Sequence, residues 1–387
     1  MIVIEDKNTC TGCGACAAAC PAACIAMTPD EEGFAYALAD AQRCTGCGLC
    51  DRLCPLRAPA AGPGGPPEAY AAWARDAAVR AQSSSGGVFT VLARQVLGRG
   101  GAVFGAAAQG DAVAHVCART EADLAALRGS KNVQSDTGDS FQQAKALLDE
   151  GKPVLYTGTP CQIAGLRAYL RRPYDGLVCA DILCHGVPSP RVFRAWLRHT
   201  GGGAGAQHVR FRDKSKGWKR YRIALRRPDG SEYAVPRRKD PYFVGFMDNL
   251  YLRPACHSCP WASTTRVGDV TLGDFWGVAR RHPGWDDDGG TSLVLANTQK
   301  GAALLQACAG ELILHHCDLA DALPGNPPLT QPSPPSPQRE AFWRDFERMS
   351  FDDLARVYMK PRKDKSLPRR VASRLLYAVR RWLAAGK

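Results

Sequence analysis

The feature that most constrains this 387-residue chain is a Cys-x2-Cys-x2-Cys-x3-Cys-Pro run that occurs twice near its N-terminus. The first copy is Cys10, Cys13, Cys16, Cys20 and Pro21; the second is Cys44, Cys47, Cys50, Cys54 and Pro55. Three thiolates two residues apart on a turning loop can cap three irons of one 4Fe–4S cubane. The fourth iron takes its ligand from the other run. The expected sets are therefore Cys10, Cys13, Cys16 and Cys54 for one cluster, and Cys44, Cys47, Cys50 and Cys20 for the other. Gly12, Gly14, Gly46 and Gly48 supply the backbone freedom such loops need. Paired zinc ribbons would use well-separated Cys pairs, and a disulfide scaffold belongs to secreted chains. Cys24 has no place in the pattern and reads as a buried thiol.

The N-terminal MIVIEDKNTC has neither a basic start nor an apolar stretch of the signal-peptide kind. No apolar run approaches the ~18 residues of a membrane span. A reducing cytoplasm is the expected location. The net charge of +13 is concentrated in two places. Residues 207–240 carry 12 Lys/Arg against 4 acids, and residues 356–387 carry 11 against one. The rest is mildly acidic, which argues against a nucleic-acid binder.

Composition and periodicity divide the chain into five parts. Residues 1–59 read as a small two-cluster ferredoxin-type domain and 60–81 as a Gly/Pro/Ala linker. Residues 82–323 alternate helical and strand patterns, a larger mixed α/β body, so the fold class is α+β or α/β. Residues 324–340 are a Pro/Ser-rich linker, too polar to pack and expected to be extended. Residues 341–387 are a basic C-terminal segment. Within it, Val371, Leu375, Val379, Trp382 and Leu383 share a helical face flanked by arginines. This helix suits an anionic membrane surface, a partner groove, or packing on its own domain.

Four segments of the body carry chemistry. Ser83, Ser84, Ser85, Gly86 and Gly87 precede a helix, where they offer N–H groups to an anion or simply cap it. Thr159, Pro160 and Cys161 follow a strand and open a helix, the place where open α/β sheets bind ligands. Cys161 can serve there as nucleophile, cluster ligand or inert small residue. Cys184 follows another buried strand, and Cys256 and Cys259 form a Cys-x2-Cys-Pro pair. That pair is half a zinc site or, with Cys161 and Cys184, a third four-thiolate set. Cys117, Cys179, Cys308 and Cys317 lie in apolar contexts and read as structural thiols. No G-x-G-x-x-G follows a strand, so a nicotinamide fold has no support.

The ordered series SSSGGVFTVLA (83–93), RGSKNVQS (128–135), VLYTGTPCQIAGLRAYL (154–170), LCHGVPSPRVFRAWL (183–197), CHSCPW (256–261) and GDVTLGDFWG (268–277) resembles the coenzyme F420 hydrogenase/dehydrogenase beta-subunit family. The resemblance implies an FAD-dependent iron–sulfur oxidoreductase with a third 4Fe–4S cluster. Such an enzyme passes electrons between a ferredoxin or another redox protein and a hydride acceptor such as F420. It implies flavin contacts from Ser84, Ser85, Gly86 and Gly87, and flavin or substrate contacts from Lys131, Asn132 and Gln134. Thr159, Pro160 and Cys161 would lie close to the flavin, Cys161 doubling as a ligand. Lys131 and Cys161 are the candidate catalytic residues. Gly273, Asp274, Phe275 and Trp276 would shape the pocket, and the basic stretch Arg210, Arg212, Lys214, Lys216, Lys219 and Arg220 would hold an anionic substrate tail. The same machinery with a different substrate, or a non-catalytic electron-transfer subunit, are the alternatives.

Overall fold

The computed structural model describes residues 1–59 and 65–362. The amphipathic helix expected over 367–387 lies outside the described residues. The N-terminal module is a single hairpin, β1 (Ile25–Pro29) against antiparallel β2 (Ala35–Ala39), flanked by one-turn helices Ala15–Ala18 and Leu49–Arg52. Each cysteine run leads into one of these helices. Gly14 and Gly48, both left-handed, turn the chain into them.

The body is built on an eight-stranded sheet. Its strands are β3 (Glu68–Ala74), β4 (Ala102–Gln109), β5 (Ala112–Ala118), β6 (Val154–Gly158), β7 (Leu177–Ile182), then β11 (Val270–Asp274), β12 (Ser292–Ala296) and β13 (Leu312–Cys317). Their order is β13-β3-β12-β11-β7-β6-β4-β5. β4, β6, β7 and β11 run parallel; β5, β12 and β13 run against them, and β3, antiparallel to both β12 and β13, runs the same way as the parallel four. Alternation decides which face each residue serves. Val103, Leu155 and Ala180 pack against the helices Val88–Leu97 and Gln299–Ala307. Phe104, Val154, Tyr156 and Cys179 pack against Ser140–Asp149 and Pro160–Leu170 on the other side. A three-stranded sheet, β8 (Gln207–Asp213), β9 (Arg222–Arg226) and β10 (Glu232–Pro236), carries the hairpins expected over 207–236. Among the described residues no helix is long and apolar enough to cross a membrane.

Two linker expectations are corrected. Within the linker expected over 60–81, EAYAAWA forms β3, hydrogen-bonded on both edges, and Ala77–Gln82 is a helix capped by Asp76. Alanine is a poor strand former, and here the neighbours override that preference. The Pro/Ser-rich stretch 324–340 does pack: Leu329 is buried, Asn326 donates to the Ala322 carbonyl, and Arg339 pairs with Glu32 of the N-terminal module.

The second core lies under the helix Pro190–His199, where Phe193, Trp196, Phe211 and Tyr242 pack ring on ring. Trp196 is fully buried, and its Nε1–H donates to Asp240 Oδ2 at 3.1 Å. Trp196→Ala removes both the packing and a partner of a buried carboxylate, so we expect a loss of about 3–5 kcal/mol. Urea unfolding checks it; a loss under about 1 kcal/mol would show that this cluster does not carry the subdomain.

Candidate functional site

The carboxyl ends of β6, β7 and β11 all open on one side of the sheet, the side where parallel sheets hold ligands. A cavity of about 630 Å3 lies there. This is the size range of small-molecule sites. Thr157–Thr159 come from the end of β6 and the residue after it, Ile182–Pro188 from the end of β7 and the turn that follows, and Leu272–Asp274 from β11 with Trp276 just beyond it. Ser83–Ser85, Gly87 and Arg128–Val133 close another side, and Pro327, Pro328 and Pro332–Pro334 of the Pro/Ser-rich stretch close a third.

Most of the expected cofactor-contacting residues reach this cavity: Ser84, Ser85, Gly87, Lys131, Asn132, Thr159, Gly273, Asp274 and Trp276. Four do not. Gly86 faces β3, where a Cβ would stand 2.3 Å from the Ala72 carbonyl oxygen, so its lack of a side chain serves chain packing. Gln134 points the opposite way from Val133 and Ser135, as alternation in an extended segment requires, and donates to Thr11 O at 3.1 Å. Pro160 and Phe275 are buried in the body rather than on the wall. Of the basic stretch, only Arg212 lines the cavity, joined by Arg237. Arg210 pairs with Glu232 and Lys219 with Asp286, while Lys214 Nζ donates to the carbonyls of Arg80, Ser85 and Gly289 and so ties down the serine loop.

The polar groups of the wall are arranged for an anion. Arg212 is gripped by Asp274 at 2.6 Å and lies over the rings of Tyr221 and Trp276. Asp274 is thereby committed, because its other oxygen accepts from Trp218 Nε1 at 3.0 Å. Arg212 Nη1 and Ser85 Oγ remain buried with no protein partner. Such atoms are costly to bury unless a ligand meets them. Lys131 Nζ donates to the carbonyls of Ala126 and Arg128 and has no ion-pair partner among the described residues. Loss of hydration draws it down to about 7. The sequence reading missed His115, whose Nε2 lies 3.0 Å from the Thr157 carbonyl and whose Nδ1 meets the Ser135 hydroxyl. Burial pulls it down to about 4, so it is a neutral imidazole with Nε2–H donating to the carbonyl.

The cysteines gather in three places. One hollow of the N-terminal module is lined by Cys10, Cys13, Cys16 and Cys54, the other by Cys20, Cys44, Cys47 and Cys50 with Cys24. Cys24 Sγ is 3.4 Å from Cys20 Sγ. In the body, burial pushes the Cys184 thiol far up, and the neighbouring Cys256, Cys161 and Cys259 push it further. Cys256 rises to about 12 and Cys259 to about 11 for the same reasons. Cys184 also lines the cavity; Cys161 does not. Among the described residues no three His, Cys, Asp or Glu side chains converge tightly enough for a single metal ion. Cys179, Cys308 and Cys317 are buried in the core.

A buried ion pair holds the body cysteines in place. Arg266 and Asp181 are 1% and 0% exposed and 2.9 Å apart. Asp181, at the end of β7, also accepts from the backbone N–H groups of Val267 and Gly268, and Arg266 donates to Trp261 O and Ser263 O. The segment after Cys259 is thus fixed three residues before Cys184. An aspartate inside the apolar run LVCADILC was the available sequence signal.

The comparisons with known proteins fall on these same regions. Residues 69–139 and 151–321 match the N-terminal and C-terminal parts of the coenzyme F420 hydrogenase/dehydrogenase beta subunit, and residues 9–58 match a 4Fe–4S dicluster domain. The chain belongs to the coenzyme F420 hydrogenase/dehydrogenase beta-subunit family. It is an iron–sulfur oxidoreductase of that family, with the dicluster domain at its N-terminus. A solved structure of the F420-reducing [NiFe] hydrogenase complex from Methanosarcina barkeri contains a chain similar at 18% identity and TM-score 0.46, over 69% of this chain and 86% of that one. No curated protein matches.

Removing one member of a buried ion pair leaves the other uncompensated. Asp181→Asn is therefore expected to cost about 3–5 kcal/mol in denaturant unfolding. A cost below about 1 kcal/mol would show that the 256–268 segment is held by something else.

Proposed function

We propose that the chain binds FAD in the cavity and a third 4Fe–4S cluster on Cys161, Cys184, Cys256 and Cys259, and passes electrons between the dicluster module and a hydride acceptor such as coenzyme F420. The observation that carries this reading is Cys184, which belongs at once to the body's thiol set and to the cavity wall. FAD, when bound, exchanges electrons singly or in pairs and so joins one-electron clusters to a two-electron partner.

The residues present fit both groups. Four thiols near enough to perturb one another match in number the donor set of a cubane, and iron would hold them as thiolates despite their burial. For the flavin, the unpartnered Ser85 Oγ and Arg212 Nη1 await an anionic or polar ligand. The serine loop also ends at Gly87, where the helix Val88–Leu97 begins and presents its positive end. Lys131 would contribute a cation that responds to neutral pH, and His115 a neutral, immobile wall rather than a proton carrier.

The module's sets lie in a sensible order. Cys13 packs against Gly165 of the helix that Cys161 opens, with a Cβ on Gly165 falling 3.0 Å from Cys13 Sγ. The set containing Cys10 and Cys13 would thus be the inner one. Cys47 of the other set is exposed, a natural entry point for electrons from a ferredoxin or another redox protein.

Anaerobic purification followed by iron and flavin assays tests the reading. We expect about 12 irons and one FAD per chain, and turnover with F420. Cys256→Ser with Cys259→Ser should lose a third of the iron and keep the module's pair. Eight irons in the parent chain would remove the body cysteines from the ligand list. FAD without F420 turnover would redirect the search to other acceptors, and no flavin would favour an electron-transfer subunit.

A further inference from the structure

Arg253 is one of the largest fully buried side chains, 1% exposed, and it has no carboxylate within ion-pair distance among the described residues. Its guanidinium reaches out of the body into the N-terminal module. Nε donates to Cys10 O at 2.8 Å, Nη1 to Gln134 Oε1 at 2.9 Å, and Nη2 to Ala35 O at 2.9 Å. Nη2 also stands 3.7 Å from Cys10 Sγ. The plane lies over the Tyr36 ring, 4.2 Å from its centroid. Gly12 makes this approach possible: a Cβ there would sit 2.6 Å from Nη1. At its backbone the same residue adjoins the body's thiol set, since Cys256 N–H donates to Arg253 O at 2.9 Å. Its charge favours the thiolates of both Cys161 and Cys256.

A buried cation without a counter-ion is expensive, and every group this guanidinium touches is neutral except the Cys10 sulfur, with the Cys161 and Cys256 thiols near enough on the body side to feel its charge. A 4Fe–4S cluster with four thiolate ligands is a net anion, and its negative charge grows by one unit on reduction. A cation fixed beside it stabilises the reduced form more than the oxidised one, which is how charge sets cluster potentials.

We propose that Arg253 is the buried counter-charge shared by the inner cluster of the dicluster module (Cys10, Cys13, Cys16, Cys54) and the third cluster (Cys161, Cys184, Cys256, Cys259), raising the reduction potential of both. It rests on the cluster sites proposed above. Arg253 is a positioning residue: it touches no substrate, and it acts by favouring residence of an electron at the junction between module and body. The cluster on Cys20, Cys44, Cys47 and Cys50 lies outside its reach and keeps its own potential.

Redox titration of the full chain followed by EPR tests this. In Arg253→Met, at a fixed potential, the reduced-to-oxidised ratio of two of the three cluster signals should fall about tenfold, equivalent to about 59 mV for one electron. The third signal should stay unchanged, and Arg253→Lys should recover most of the shift. Gln134→Glu leaves the arginine in place but sets a carboxylate against Nη1. It should move the same two signals in the same direction, and it serves if Arg253→Met does not fold. Full iron with ratios within twofold of the parent in both Met and Glu variants would overturn the proposal, as would an equal shift of all three signals. A parent chain with only eight irons would instead fail the third-cluster reading, leaving the inner-cluster shift to be judged alone.

Discussion

The site depends on the ion pair of Arg266 with Asp181. It is fully buried, yet it joins two stretches of chain 85 residues apart. Asp181 closes the end of β7 and takes four donors, two from Arg266 and two from backbone N–H groups. The consequence is local and double. The segment carrying Cys256 and Cys259 is drawn to Cys184, and the chain leaves that segment in register to add β11 beside β7. The same interaction therefore gathers the body's thiols and shapes the crevice at the strand ends. Replacing the pair with apolar residues could preserve stability, but not the aim of the backbone N–H groups that fix this turn.

A second constraint is the rigid seat of the N-terminal module. Thr137 Oγ1 donates to Cys13 O, Ser189 Oγ to Glu32 O, and Arg339 pairs with Glu32, while Arg253 reaches Cys10 and Ala35. Cys13 and Ala15 are part of the body's own hydrophobic core. Electron transfer between fixed centres benefits from such a seat, because nothing has to dock before each transfer. The exposed edge is at Cys47, on the far set.

Legibility followed the range of the interactions. The two cysteine runs were readable because their chemistry is written in local spacing, and the structure brings together the interlocked sets that spacing implies. The central strands and helices were readable from period: KPVLYTG, QIAGLRAYL and LVCADILC appear where their patterns put them. β3 was hidden because EAYAAWA lacks β-branched residues and follows a Gly/Pro-rich stretch. The proline segment was hidden because its packing depends on the single residues Asn326 and Leu329 meeting the body. At the site, the failures came from direction. Gly86 and Gln134 sit in the right motifs but face away from the cavity, and no one-dimensional pattern fixes the side of an extended segment without its neighbours. His115, Arg253 and Arg266 are lone polar residues whose roles exist only through partners far away in the chain.

In the function proposed above, three cysteine sets and one flavin cavity form a single conduit. Iron anomalous scattering from crystals of anaerobically prepared chain addresses it directly. Three iron centres are expected: one within the Cys10, Cys13, Cys16 and Cys54 set, one within the Cys20, Cys44, Cys47 and Cys50 set, and one at Cys161, Cys184, Cys256 and Cys259, the last bordering flavin density in the cavity. Two centres confined to the N-terminal module, with the body thiols bare or bridged to one another, would contradict that proposal.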